Sequence, residues 1–448
     1  MSPAPRTTTL SSTPALPTDR PRFRALGPRH VPEIAGRHGL TATARDTIQA
    51  IARVLPFKVN DYVLDELVDW TAIPDDPLYQ LLFPQSGMLA PRDEARLADL
   101  PPGRTPDGDL LISRIRAGLN PHPSGQKELN VPHHGGRPLA GIQHKYRETV
   151  LYFPSQGQTC HAYCTYCFRW AQFIGDADLR FAAPAPTDLV SYLHHHPEVT
   201  DVLVTGGDPM VMSTDRLASH LTPLLDIDTV HTIRIGTKSL TYWPHRFVTD
   251  PDADSALRLF EDIVASGRTL AVMAHVTHPR ELSTDIARQA IRRVRDTGAV
   301  LYCQAPLVAH VNDNPATLAE LWRTELALGM VPYYQFVERD TGPKQYFEVP
   351  LTKALDIFTT AFRSLPGLAR TIRGPVMSAT PGKVVIDGTE TTPEGTFFRL
   401  RMLQARDPEL VGRPFRAHHS TTAAWLSDLT LTQDTPPSVR DATGLPTR

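Results

Sequence analysis

Three of the four cysteines in the chain lie in one short run, TCHAYCTYCFRW, in which Cys160, Cys164 and Cys167 have the spacing C-x3-C-x2-C. Three thiolates on one loop can ligate three irons of a 4Fe–4S cluster and leave the fourth iron without a protein ligand. An open iron can bind and reduce a substrate or cofactor, which a pure electron carrier does not require. The alternative is a zinc site, but zinc prefers a fourth Cys or His at ligand spacing, and His161 lies too close to Cys160 for the usual arrangement. The spacing therefore favours a catalytic iron–sulfur cluster.

Charge and composition exclude several other classes of function. The chain has 46 basic and 48 acidic residues among 448, so nothing in its charge favours a nucleic acid or a membrane surface as partner. No apolar run reaches membrane-spanning length, and the N-terminus lacks the layout of a secretory signal. Three cysteines committed to one loop do not make a disulfide framework. We therefore expect a cytoplasmic enzyme that binds neither nucleic acid nor membrane.

The pattern of residues divides the chain into four parts. Residues 1–25 are rich in Ser, Thr and Pro without apolar periodicity, which is typical of disorder. Residues 26–140 have helical periodicity interrupted by prolines and form an N-terminal helical extension. Residues 141–385 alternate short apolar strands with amphipathic helices. Residues 386–448 form a C-terminal extension, partly disordered, whose last fifteen or so residues are predicted to be unstructured.

The alternation of strands and helices predicts the fold class. Repeated strand–helix units favour an α/β fold with a parallel sheet, and about six units favour a partial (β/α)6 barrel rather than a closed eight-stranded one. Functional residues of such barrels gather at the carboxyl ends of the strands. The candidate strands are TVLYF, TDVLVTGG, HTIRIGT, LAVMAHV, AVLYCQA and VPYYQFVE.

A glycine-rich turn follows the predicted strand DVLV about forty residues after the cysteines. In this turn, Gly206 and Gly207 allow the backbone to approach a ligand closely, and Asp208 can meet an ammonium group. The alternative is an ordinary strand-to-helix turn. Its position after the cysteine run favours a ligand-binding role.

The cysteine motif and several further segments resemble a known family. Tyr166 supplies the aromatic residue of the C-x3-C-x-aromatic-C loop found in radical S-adenosylmethionine (SAM) enzymes. Over residues 120–385 the chain is similar to the lysine 2,3-aminomutase family. The segments that carry the resemblance, in order, are HKYRETVLYF, CHAYCTYCFRW, GGDP, IRIGT, VTHPRELS, LYCQAPLVAHVND, PYYQFVE and GPVMSATPGK.

The resemblance implies a radical reaction with three cofactors: a 4Fe–4S cluster, SAM and pyridoxal phosphate (PLP). In that family a 5′-deoxyadenosyl radical takes hydrogen from the carbon beside the amine of an amino-acid substrate, and the amino group then moves between neighbouring carbons. It further implies a reducing electron donor such as flavodoxin or ferredoxin, and association into a homo-oligomer.

The resemblance also implies roles for individual residues. Cys160, Cys164 and Cys167 ligate the cluster. Arg169 binds the substrate carboxylate, for which a planar guanidinium is well suited; its alternative is a phosphate or surface ion pair. Lys383 attaches PLP, its alternative being a surface lysine, and it needs desolvation or cationic neighbours to react. The remaining cofactor contacts are Tyr166, Gly206, Gly207 and Asp208 to SAM, and Tyr146 and Gln304 to PLP.

Two departures from the family pattern bear on PLP. Only Pro381 and Gly382 precede Lys383, where the family has a longer glycine-rich stretch. Thr149 stands where an arginine for the PLP phosphate is expected. The family's C-terminal zinc cysteines are also absent, since no cysteine follows Cys303.

A fourth departure bears on the substrate. Lysine-specific members place two aspartates against the distal ammonium, and the matching positions here are Arg339 and Ser378. Because a buried guanidinium repels a second cation, we expect a glutamate- or aspartate-like substrate rather than lysine. If the alignment shifts by one residue, Glu338 or Asp340 faces inward instead, and a basic substrate becomes the prediction.

Three functions remain open from the sequence. The first is a PLP-dependent radical SAM aminomutase that acts on an α-amino acid other than lysine. The second is a PLP-independent radical SAM enzyme that modifies a natural product or a protein. The third is a non-catalytic iron–sulfur sensor, which the glycine-rich turn and the long barrel disfavour. Lys383 discriminates between the first two.

Overall fold

The computed structural model describes residues 21–101 and 103–448. Disorder was predicted for residues 1–25, of which 1–20 lie outside the described residues, while a strand begins at Ala25. The strands are β1 Ala25–Leu26, β2 Val59–Asn60, β3 His133–His134, β4 Arg137–Pro138, β5 Ile142–Tyr146, β6 Thr149–Tyr152, β7 Asp201–Val204, β8 Thr232–Thr237, β9 Thr269–His275, β10 Val300–Leu307, β11 Val331–Val337, β12 Arg373–Ser378, β13 Gly382–Thr392, β14 Gly395–Ala405 and β15 Pro414–His418.

None of the described helices is long and apolar enough to cross a lipid bilayer. They are α1 Val31–His38, α2 Ala42–Ile51, α3 Pro77–Leu82, α4 Pro91–Ala98, α5 Pro106–Gly118, α6 Thr187–His194, α7 Thr214–Leu221, α8 Ser239–Tyr242, α9 Ala253–Ala265, α10 Asp285–Asp296, α11 Pro315–Ala327, α12 Lys344–Phe347, α13 Leu351–Arg363 and α14 Pro437–Thr443.

One eleven-stranded sheet organises the molecule, and its strands β5 to β15 are neighbours in chain order. Strands β6 to β12 run parallel, whereas β5 and β13 to β15 pair antiparallel. The α/β class predicted from the sequence is confirmed, and all six predicted strands are present as β6 to β11. The seventh parallel strand, β12, was missed because its Gly-Pro pair is atypical of a central strand. The partial (β/α)6 barrel stays a prediction.

The two faces of the sheet differ in chemistry because successive strand residues point to opposite sides. Ile233 and Ile235 of β8 are buried in the large apolar core that includes the helices. Residues of the alternate register are polar: Arg234 forms an ion pair with Asp201 at 2.5 Å, and Thr149 donates to the same carboxylate at 3.1 Å. This face of the sheet therefore carries charged and hydroxyl side chains that bond one another.

The N-terminal helices pack on the segment that carries the cysteines, residues 158–169, which we call the cysteine loop. Its backbone is tied to two elements of the extension: Tyr163 N–H donates to the Lys58 carbonyl at 2.8 Å, and Thr165 N–H donates to the Leu81 carbonyl at 2.9 Å. Asn60 Nδ2 adds a bond to the His161 carbonyl at 3.1 Å. The N-terminal extension thus holds the cysteine loop in place.

The C-terminal part is more ordered than the sequence predicts. The boundary placed at residue 385 falls inside β13, and the predicted unstructured tail contains α14. Val439 of α14 is fully buried in a core with Trp425 and Phe398. The prediction of an unstructured tail is therefore wrong, because a few apolar side chains in a Pro-rich segment suffice to dock it on β14.

Candidate active site

The three cysteines of the cysteine loop are free thiols that lie near one another. Burial raises the pKa of Cys160 well above its usual value, and Asp208, Cys167 and Cys164 raise it further, while Lys58 opposes them. Burial and then Cys164 raise the pKa of Cys167 to about 12. Three desolvated sulfurs that disfavour each other's negative charge form a donor set that a positively charged iron cluster stabilises.

The described side chains do not form a site for one metal ion. Among the residues described, no three Cys, His, Asp or Glu side chains converge closely enough to hold one metal ion. A single zinc ion brings its sulfur ligands within about 4 Å of one another, whereas each cysteine of a cluster ligates a different iron.

Tyr166 fixes the cysteine loop against the carboxyl end of β9. Its hydroxyl lies 2.8 Å from His275 Nε2 and 2.9 Å from Thr277 Oγ1, and its ring is almost fully buried. The side chain is thus committed to the protein interior. Contact of Tyr166 with SAM stays a prediction.

The turn after β7 packs directly against the residues that precede Cys160. Gly207 N–H donates to the Gly157 carbonyl at 3.0 Å, and Asp208 N–H donates to the Thr159 carbonyl at 2.7 Å. A Cβ on Gly207 would lie 2.5 Å from the Thr159 carbonyl carbon, and one on Gly206 would overlap the Gln158 side chain. Both glycines are therefore required for the close approach of two protein loops.

Asp208 is fully engaged by protein donors. Its buried carboxylate accepts from Thr237 Oγ1 at 2.7 Å, from Lys238 N–H at 2.8 Å and from Ser239 Oγ at 2.9 Å. A further bond comes from Met210 N–H at 2.9 Å. The carboxylate joins the ends of β7 and β8, so the predicted bond to an ammonium group would have to add to these bonds.

Arg169 is a buried guanidinium without a carboxylate partner among the residues described. It stacks on Phe153 at 4.1 Å, Nη2 donates to Gln158 Oε1 at 3.3 Å, and Nε has no partner. Burial lowers its pKa to about 10, and Cys167 and Cys160 oppose that shift. A buried guanidinium without a partner is stabilised when an anion binds to it, so Arg169 is a candidate anion-binding residue beside the thiols.

Arg339 follows β11 and repeats this arrangement. Its guanidinium lies 5.1 Å over Phe168, its Nε is also unpartnered, and no described carboxylate lies within ion-pair distance. Burial lowers its pKa, opposed by Asp340, Tyr146 and Glu338. It is close enough to Arg169 to lower the pKa of that residue. The charges of the two guanidiniums therefore act on each other.

Lys383 lies on β13, in register with Ser378 of β12. Its Nζ donates to Gln404 Oε1 at 2.5 Å and lies 4.8 Å over the Tyr334 ring and 5.2 Å over the Tyr146 ring. Burial, Arg234 and Arg373 lower its pKa to about 7, and Asp201 opposes them. A lysine with this pKa is a neutral nucleophile for half of the molecules near neutral pH, which fits covalent attachment of PLP.

Tyr146 and Lys145, both from β5, complete this part of the site. The Tyr146 hydroxyl is buried without a well-aligned hydrogen-bond partner, next to Ser378, and burial raises its pKa to about 12. Lys145 Nζ donates to the Ala379 carbonyl. Burial, Arg339, Arg406 and Lys383 lower the pKa of Lys145 to about 6. The Tyr146 hydroxyl thus lacks a partner, and its ring lies near the amines of Lys145 and Lys383, which fits a polar cofactor such as PLP.

Gln304 lies one strand away from these groups. It is paired with His275 of β9 and with Tyr334 of β11, and Tyr334 is the residue whose ring underlies Lys383. The structure thus brings together the predicted residues Tyr146, Ser378, Arg339 and Lys383, and places Gln304 at their border. Its contact with PLP stays a prediction.

Lys145, Tyr334 and Gln404 were missed by the sequence analysis. Lys145 and Tyr146 are consecutive, and regular alternation predicts that they point to opposite faces. A register irregularity between β5 and β6 at this place brings the Lys145 amine to 5.5 Å from the Tyr146 ring. The bulge has no signature in the sequence, but the basic residue beside Tyr146 in HKYRET was a signal that could have been followed.

Four basic side chains therefore lie in one region of the site: Lys145, Arg169, Arg339 and Lys383, which we call the basic cluster. None of them forms an ion pair with a described carboxylate, and the lowered pKa values of the two lysines leave the arginines as its permanent charges. Fold and site together define an α/β protein with a three-thiol loop at one end of a parallel sheet and a basic cluster beside it.

Comparison with known proteins identifies the family. The chain is 35% identical over 291 residues, 65% of its length, to a protein of Aquifex aeolicus provisionally named an L-lysine 2,3-aminomutase, and spans 74% of that relative. It is 27% identical over 56% of its length to the L-lysine 2,3-aminomutase of Acetoanaerobium sticklandii, and spans 58% of it. The chain belongs to the lysine 2,3-aminomutase family of radical SAM enzymes.

A further relative has another substrate in its name. The glutamate 2,3-aminomutase of Clostridioides difficile is 27% identical over 198 residues, which are 44% of either protein. No family model matches the chain. Among solved structures, a radical SAM methyltransferase from Sphaerobacter thermophilus is 15% identical and covers 76% of this chain and 92% of its own, with a TM-score of 0.34, too low to bear on the fold.

Proposed function

We propose that the protein is a radical SAM 2,3-aminomutase that moves the amino group of a dicarboxylic α-amino acid, glutamate- or aspartate-like, from the α to the β carbon. The observation that carries this proposal is the basic cluster: two guanidiniums, Arg169 and Arg339, and two amines, Lys145 and Lys383, buried together without carboxylate partners among the described residues. The family to which the chain belongs supports the reaction class.

One group of residues holds the cofactors, and another binds the substrate. When bound, the cluster and SAM supply the 5′-deoxyadenosyl radical, and PLP supplies the carbonyl that holds the migrating amine. The cysteine loop holds the cluster through its three thiolates. Lys383 holds PLP, because its amine is partly neutral at the pH of the cell. Tyr146 and Tyr334 flank that amine and exclude water from it.

Arg169 and Arg339 determine the substrate class. Arg169 lies beside the thiols and binds the α-carboxylate, which places the reacting carbon near the source of the radical. Arg339 lies beside Tyr146 and binds the distal carboxylate. Glu338, the neighbour of Arg339, lies toward Tyr166 and Cys167, whose pKa values it raises. A distal ammonium at Arg339 would be repelled, so lysine is disfavoured.

A second candidate function follows from Thr149. This residue, at the position where the family pattern has an arginine for the PLP phosphate, donates instead to Asp201 and so takes no part in anion binding. A chain without PLP would be a radical SAM enzyme that modifies a natural product or a protein. Trapping of PLP discriminates between the two candidates.

The trapping experiment uses the full chain with its cluster reconstituted without oxygen. PLP is added, the mixture is reduced with borohydride, and the fixed mass is mapped by peptide mass spectrometry. We expect a pyridoxyl group on Lys383 that is lost in Lys383→Ala and retained in Lys145→Met. Exposed Lys353 is the internal control. A group on Lys145 instead would contradict the role of Lys383, and the absence of any group would favour the second candidate.

The substrate class is tested separately by binding of glutamate to the PLP-loaded protein. Arg339→Gln removes the charge that faces the distal carboxylate, and we expect Kd to rise by about 100-fold, in line with a buried charge pair worth about 3 kcal/mol. The matched control is Arg268→Gln, since Arg268 also has an unpartnered Nε and donates to a backbone carbonyl, at 3.0 Å. An equal Kd in both variants would contradict the role of Arg339.

A further inference from the structure

Tyr242, the last residue of α8, places its hydroxyl against a sulfur of the cysteine loop. The oxygen lies 3.4 Å from Cys164 Sγ, and within the described part of the chain it has no other hydrogen-bond partner. The side chain is 1% exposed, so water does not compete for this contact. The hydroxyl is therefore reserved for the sulfur.

The geometry of this contact is fixed from two sides. Asn60 Nδ2 donates to the Tyr242 carbonyl at 3.0 Å and to the His161 carbonyl of the cysteine loop at 3.1 Å. One buried amide thus clamps the helix that carries the hydroxyl to the loop that carries the sulfur. The contact is built into the fold rather than left to a free rotamer.

A charged group also fixes the Tyr242 ring. Lys238 Nζ lies 4.4 Å over the Tyr242 ring and is held there by a buried ion pair with Glu281. A cation over a phenol ring is attracted to the electrons of the ring, so this contact holds the ring in the orientation that directs its hydroxyl at the sulfur. An iron-bound thiolate has no proton to donate, so the hydroxyl must be the donor in the cluster-bound protein.

We propose that Tyr242 is a positioning residue for the iron–sulfur cluster, and that its hydroxyl, by donating to Cys164 Sγ, raises the reduction potential of the cluster. This inference rests on the cluster of the proposed function. Reduction adds an electron to the cluster and makes its sulfurs better acceptors, so a donor at the sulfur stabilises the reduced state more than the oxidised state.

The test compares three full-length proteins with reconstituted clusters: wild type, Tyr242→Phe and Tyr62→Phe. Tyr62 is the matched control, because it is buried in the same apolar core and its hydroxyl bonds Thr284 at 2.8 Å, away from the thiols. The midpoint potential is measured by redox titration under electron paramagnetic resonance. We expect a shift to more negative potential in Tyr242→Phe and none in Tyr62→Phe.

The outcomes separate this inference from the function on which it rests. A wild type that binds no iron and sulfide would contradict the proposed cluster itself. Equal potentials in wild type and Tyr242→Phe, with full clusters in both, would overturn only the role of Tyr242. If Tyr242→Phe does not load iron, electron–nuclear double resonance of the reduced wild type decides: an exchangeable proton coupled to the cluster is expected, and its absence overturns the inference.

Discussion

The cysteine loop and the basic cluster are built in opposite ways. The thiols come from eight consecutive residues of one loop, Cys160 to Cys167, and the N-terminal extension fixes the backbone of that loop. The cations come from four separate places: Lys145 on β5, Arg169 after the cysteines, Arg339 after β11 and Lys383 on β13. One site depends on local spacing, and the other depends on how distant strands are brought together.

The difference determines how each site responds to substitutions. In the cysteine loop the thiols proposed to bind the cluster are neighbours in the chain, so only the support of the loop has to be exact. In the basic cluster the position of each basic side chain depends on another element, and Arg169 and Arg339 have no carboxylate partner among the described residues. We therefore expect a substitution in the cysteine loop to abolish cluster binding, and a change in the basic cluster to alter binding only in part.

Replacing a cluster ligand gives the largest expected effect. Cys164→Ala leaves two thiolates for the cluster, and we expect loss of iron binding and of SAM cleavage to below detection. The measurements are iron and sulfide content and release of 5′-deoxyadenosine. The control is Cys303→Ala, which removes a buried thiol of β10 outside the loop and should keep both. SAM cleavage in Cys164→Ala would show that the loop does not hold the cluster.

The contrast between the two sites also explains what sequence reasoning could predict. The cysteine motif and six strands of the sheet are local patterns, with fixed spacing or short apolar runs. The six strands were predicted correctly in type and place, and the cluster on the cysteine motif stays a prediction. The convergence of Arg339, Ser378, Tyr146 and Lys383 was predicted only through family resemblance. No spacing in the chain relates β5 to β13.

Other features were beyond sequence reasoning for physical reasons. The bulge that brings Lys145 beside Tyr146 depends on pairing between β5 and β6, which has no sequence signature. The glycines of the turn after β7 were predicted to approach a ligand, and the structure shows that they approach the cysteine loop. The type of residue was informative, but its partner depends on the tertiary fold.

That turn allows the support of the cysteine loop to be tested without touching a ligand. Gly207→Ala places a methyl group against the Thr159 carbonyl, and we expect the loop to move and unfolding free energy to fall by about 3 kcal/mol, with incomplete iron loading. Denaturant unfolding and iron content measure the two effects. Gly36→Ala, in α1 with open space around its Cα, is the control and should not lose stability. Equal stability in both variants would mean that the turn does not support the loop.

Asp208→Asn gives a smaller effect of the same kind. The amide retains one acceptor oxygen, and its NH2 group faces donors such as Lys238 N–H or Thr237 Oγ1. We expect a loss of about 2 kcal/mol in unfolding free energy in the absence of SAM, since a buried donor is left unpaired. The control is Asp226→Asn on the surface. A variant as stable as wild type that binds SAM more weakly would return Asp208 to the ligand-binding role predicted from the sequence.

The smallest expected effect concerns the basic cluster and is gradual with pH. Because the pKa of Lys383 is lowered to about 7, only its neutral form, which predominates above that pH, can attach PLP. The rate of borohydride-trapped attachment should rise by about tenfold from pH 6 to pH 8 and then level off, whereas an ordinary lysine with a pKa of about 10.4 would continue to gain. Free lysine in the same samples provides that reference. A rate at Lys383 that keeps rising in parallel with free lysine beyond pH 8 would show that burial and the neighbouring arginines do not keep this amine neutral.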